Sequence, residues 1–132
     1  MKRSDVEPIV AEHLPRLSAA LGLHHWEVTL SYENVDVDDE GYWKRGECTR
    51  LVDYQSAHIT LNPSAFLTPD DVLKTLRHEL FHIILSPFDL YQAAVDRAGI
   101  NQPITDLLGR IWDHAVERSV AALERMHEGL TQ

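Results

Sequence analysis

Two histidines four residues apart, with a glutamate directly after the first, constrain this chain more than any other feature: His78-Glu79-Leu80-Phe81-His82, an H-E-x-x-H pattern. On a helix, residues four apart lie on one face, so both imidazoles can reach a single ion. The intervening Glu then stands beside a metal-bound water and can take its proton. The pattern requires a helix, and the flanking residues predict one. Thr68 suits an N-cap, Pro69 the first helical position, and Asp70 and Asp71 the positive end of the helix dipole. Val72, Leu73, Leu76, Leu80, Ile83 and Ile84 recur near a period of 3.6, and Pro87 ends the run. In the second half of this apolar helix the polar residues are Arg77, His78, Glu79 and His82. Burying such groups is costly unless they are satisfied, and a metal would satisfy them.

At 132 residues, 44% hydrophobic and 25% charged, the chain is expected to fold as one domain, 1–132, around a real core. Its formal net charge of −9 and its 12 Lys and Arg argue against nucleic-acid binding through phosphates and against anionic membranes. A single cysteine, Cys48, allows no intrachain disulfide. The N-terminus has no apolar signal core and no run approaches a membrane span. These features together predict a cytoplasmic protein.

Periodicity predicts a first helix over residues 4–21, capped by Ser4, kinked or divided at Pro15 and stopped by Gly22. Residues 26–32 alternate as a half-buried strand, preceded by His24 and His25 in a solvated turn. Asp36, Asp38, Asp39 and Glu40 form an acidic loop without the EF-hand spacing. A second strand is expected over 46–54, with Cys48, Arg50 and Val52 facing opposite to Glu47, Thr49, Leu51 and Asp53. A third follows over 56–61, ended by Asn62-Pro63, with His58 at the surface. Beyond Pro87 a short helix over 88–98 stops at Gly99, a turn holds Asn101, Gln102 and Pro103, and a last helix covers about 105–126. The apolar set of that helix is Leu108, Ile111, Trp112, Ala115, Val116, Val120, Leu123 and Met126.

Two histidines are an incomplete site, because catalytic zinc usually has three protein ligands and a water. The remaining donors are His58 upstream and Asp89, Asp113, His114, Glu117 and Glu124 downstream. Asp113 and Glu117 are four apart and share a helix face, so one could bind metal while the other orients a ligand histidine.

H-E-x-x-H on one helix followed by a Glu on a later helix resembles the gluzincin metallopeptidases. The layout of a short N-terminal helix, a Trp-led strand, an Ile-x-Leu-Asn strand, the motif helix and a final acidic helix is similar to the small one-domain members, the minigluzincins and the phage-type or bacterial metallopeptidases. The likeness covers about residues 23–125 and is specific at His78, Glu79 and His82. It implies an α+β, zincin-like fold: a small twisted β-sheet packed on the motif helix, with N- and C-terminal helices. It implies His78 and His82 as zinc ligands, Glu79 as general base and Glu117 as the best match to the ligand Glu. The strand over 57–61 would be the edge strand on which an extended substrate pairs. The chain departs from the larger gluzincins at Ala121, where they carry an Asp. A helical wheel drawn on the apolar set puts Glu117 nearly opposite its centre and Asp113 nearer its edge; if Asp113 is the ligand, Glu117 becomes the group that orients a ligand histidine. His114 as ligand would point instead to a His-ligand zincin such as the SprT-like proteases.

The expectation is therefore a zinc metallopeptidase acting on a peptide or protein, with Tyr54, Tyr91 or His114 supplying an oxyanion donor. The alternatives are a catalytically inactive zincin-like binding module and a zinc hydrolase of a non-peptide substrate.

Overall fold

A computed structural model describes residues 1–34, 44–99 and 102–131. The chain falls into two compact units, Met1–Ile83 and Ile84–Gln132. The fold is α+β: α-helices together with one small mixed sheet.

The first unit begins with α1, Arg3–Ala20. The helix is not divided at Pro15, and it runs as one element past Pro8 as well. Its start differs from the Ser4 cap expected: Lys2 is the N-cap, and its N–H donates to Asp5 Oδ2 at 3.0 Å. Gly22 stops the helix as expected. It adopts φ +73°, and its N–H reaches Ala19 O at 3.1 Å while Leu23 N–H reaches Ser18 O at 2.7 Å. This pair of bonds is the Schellman arrangement, which only a residue at ease with positive φ can close. His24 and His25 follow in an exposed turn.

Three strands form the sheet: β1 Glu27–Tyr32, β2 Gly46–Leu51 and β3 Ser56–Leu61. Their order is β1-β3-β2, with β1 parallel and β2 antiparallel to β3. β2 ends at Leu51, short of the expected 54, because the chain turns through a 3-10 helix, Val52–Tyr54, and Gln55 at φ 50° before re-entering as β3. On β2 the alternation holds: Cys48 and Arg50 are half-buried, Glu47, Thr49 and Leu51 exposed. On β3, Ala57, Ile59 and Leu61 are buried. β3 is thus the central strand, paired on both sides, and has no free edge for a substrate. That overturns the reading of residues 57–61 as an edge strand. Alternation marks the buried face of a strand but carries no information on its place in the sheet. The predicted acidic loop, Asp36, Asp38, Asp39 and Glu40, lies outside the described residues.

The core of this unit joins Val6 and Val10 of α1, Ile59 and Leu61 of β3, Phe66, and Val72, Leu76, Leu80 and Ile83 of the helix α2, Pro69–Leu85. The Met1 amino group donates to Phe66 O at 2.7 Å and Pro63 O at 3.2 Å, tying the start of α1 to the loop that enters α2.

In the second unit a 3-10 turn, Ser86–Phe88, leads into α3, Asp89–Arg97, which ends before Gly99 at φ +70°. α4 spans Gln102–Thr131, longer at both ends than the expected 105–126. Gln102 and Pro103 therefore belong to its first turn, where proline costs nothing because those N–H groups have no intrahelical partner. Asn101 lies outside the described residues. Phe88 and Tyr91 pack on Trp112, with ring centroids 5.9 and 5.3 Å away. No helix among the described residues is long and apolar enough to cross a membrane.

Candidate metal centre

The motif helix forms as the sequence predicts, with an additional cap. Asp71 N–H donates to Thr68 Oγ1 at 3.3 Å. In return Asp71 Oδ2 accepts from Leu67 N–H at 2.9 Å and Thr68 N–H at 3.0 Å. This is a capping box with Asp in the third position. The Leu67 N–H, then the Thr68 N–H, hold the Asp71 carboxyl below its ordinary value of 3.8. A depressed folded value means that the cap stabilises above the unfolded value and fades as pH falls through the folded one. We expect Asp71→Asn to lower the melting temperature at neutral pH. The gap from the parent should close below about pH 4 when melts are recorded across the acid range. The cap sets where α2 starts, but packing holds it. Each fully buried Val72, Leu76 or Leu80 contributes about 2 kcal/mol, against about 1 kcal/mol for an N-cap.

The two histidines meet on α2. His78 Nε2 and His82 Nε2 stand 3.3 Å apart, with ring centroids 5.0 Å apart and planes at 63°. Both side chains are half-buried, and Glu79 between them is 5% exposed. The same face of α2 meets the start of β2. A Cβ on Gly46 would stand 3.1 Å from Thr75 Cγ2 and 3.3 Å from both Glu79 Oε1 and Leu61 Cδ2. Glycine is what lets the β2 backbone close over the Glu79 carboxylate. By alternation alone Gly46 is only the start of a strand, yet a glycine inside a strand pattern is itself a signal of close backbone approach. Gly46→Ala should crowd Thr75 and Glu79 and cost about 1–2 kcal/mol, read from urea denaturation. A neutral or stabilising result would mean that the glycine is incidental.

Two other residues from the sequence analysis are set away from this centre. His58 lies on the face of β3 opposite Ala57, Ile59 and Leu61. It is exposed, bonded to Thr29 Oγ1 at 2.7 Å and Ser31 Oγ at 2.8 Å. It is a surface residue, as expected, and drops out as a third ligand. Tyr54 is 81% exposed in the turn beyond the far end of β2. The five strand steps from Gly46 to Leu51 alone span about 17 Å, so Tyr54 loses its place as an oxyanion donor.

On α4, Asp113, His114 and Glu117 are all exposed. The buried residue of that stretch is Val120, at 0% exposure. At 100° per residue, Asp113 lies about 20° from Val120 around the helix, Glu117 about 60° and His114 about 120°. Val120 lies at the edge of the apolar set: Leu108, Ile111 and Met126 on the far side of the set are 40%, 58% and 64% exposed, and Trp112, Val116 and Leu123 between them are half-buried. Measured from Val120, Asp113 and Glu117 both flank the buried line, and His114 turns away from it.

Comparison of the chain with protein-family models, with curated proteins and with solved structures finds no match.

Proposed function

We propose that the chain is a zinc metallopeptidase of the gluzincin kind, with His78, His82 and Glu117 as metal ligands and Glu79 as general base. One observation carries the reading. Two imidazole nitrogens bound to tetrahedral zinc at 2.0–2.1 Å lie about 3.3–3.4 Å apart, and His78 Nε2 and His82 Nε2 are already 3.3 Å apart. The donor chemistry agrees: two imidazoles and a carboxylate are a catalytic zinc set. Glu117, in the second compact unit, is the third donor that the gluzincin resemblance supplies.

Zinc bound there would polarise the scissile carbonyl and lower the pKa of a coordinated water. The chain's own part rests on Glu79. Its carboxylate takes a proton from the attacking water and passes it to the leaving amine. Burial of Glu79 under Gly46 holds that carboxylate in place and keeps bulk water off it. Among the described residues the edges of the sheet are β1 and β2. β2 is the edge whose first residue adjoins Glu79, so an extended peptide would add to the sheet along β2. The test is cleavage of an unfolded protein by the zinc-loaded chain, abolished by a chelator and restored by added zinc. Full activity after the metal is removed would overturn the proposal.

A further inference from the structure

Among the described residues, the apolar side chains of α4 that lie farthest around the helix from Val120 are exposed. Ile104, Leu107, Leu108 and Ile111 recur at the i, i+3, i+4, i+7 spacing of one helix stripe. They are 50%, 50%, 40% and 58% exposed. Phe88 and Tyr91 extend the patch through their packing on Trp112 and are 54% and 62% exposed themselves.

We infer that this face is the interface of a homodimer, in which α4 of one copy packs on α4 of a second. The area decides in favour of a large partner surface. Half-exposed Leu and Ile side chains present on the order of 100 Å² each. With the two aromatics the patch reaches roughly 600–700 Å², near the ~800 Å² per partner of a stable protein interface and above the usual largest patch of a monomer. Geometry favours a second copy. A single straight stripe on a long helix is self-complementary across a two-fold axis, which is the commonest way a soluble chain covers such a face. A lipid surface is the weaker fit, since the chain carries a net charge of −9 and would be repelled by anionic headgroups.

The experiment is sedimentation equilibrium on the full chain, without added metal, from low to high micromolar concentration. A dimer mass is expected for the parent. Ile111→Asp should weaken association by at least about 30-fold, the effect of one interface hot spot. Leu107→Lys serves as a second variant, and circular dichroism reports that both remain helical. A parent that stays monomeric at every concentration overturns the inference. So does a dimer that both folded variants leave intact, and so does a monomer that instead co-sediments with anionic vesicles. None of these readings involves zinc, so the inference stands or falls apart from the proposed peptidase.

Discussion

Replacing His78 or His82 by alanine is expected to remove zinc from the protein. Purified without added metal or a histidine tag, the parent chain should carry about one zinc, and either variant close to none, by inductively coupled plasma mass spectrometry. The magnitude follows from dividing the binding free energy. A four-ligand zinc site has an apparent affinity of about 10–16 kcal/mol, so one ligand supplies about 3 kcal/mol and its loss weakens binding by on the order of 100-fold. The same loss should appear in stability. Free zinc at a hundred times its dissociation constant stabilises the folded chain by about 2.7 kcal/mol, a shift that the variants would not show. Glu117→Ala and Asp113→Ala then separate the two carboxylates. Both lie near Val120 around α4, but only Glu117 is in the proposed set. Zinc lost in Glu117→Ala and kept in Asp113→Ala supports that set, and the reverse would move the ligand to Asp113. A parent chain that takes up no zinc when it is supplied would leave the two histidines as neighbours on a helix and nothing more.

Local signals made much of this fold legible. The capped motif helix, the Gly22 and Gly99 stops and the β3 strand with its Asn-Pro end all depend on residues within one turn or one strand of each other. They appear in the structure close to where the pattern placed them. Non-local facts were not legible. That β3 is central rather than an edge depends on which strands pair, and Ser56-Ala-His-Ile-Thr-Leu reads the same in either place. The inward side of α4 has the same limit. Its apolar set runs from exposed Leu108 and Ile111 through half-buried Trp112, Val116 and Leu123 to buried Val120. An arc that broad has no sharp centre from which to measure Glu117. Gly46 shows the same limit at the site. Nothing within its own strand says that Glu79, more than thirty residues later, will lie against it.

Glu79→Gln is expected to have the largest effect on chemistry with the least effect on structure. Glutamine matches the shape of glutamate, so the side chain still fits under Gly46 with its 5% exposure, but it can no longer accept a proton. Loss of a positioned general base lowers turnover by about 10²–10⁴-fold. Metal content should stay near the parent value, because in the proposed set Glu79 is not a ligand. The pairing of these two readouts matters more than either alone. Turnover lost with zinc retained assigns the base to Glu79 and makes the chain an enzyme. Turnover lost together with zinc would mean that Glu79 supports the metal site itself, and the proposed division of roles would fail. Zinc retained in both proteins with cleavage in neither points to the other class, a zincin-like binding module in which the metal is structural. Under that outcome Glu79→Gln should change stability rather than any rate. A buried carboxylate that holds no proton in transit has only its hydrogen bonds to contribute, and the neutral amide keeps part of those.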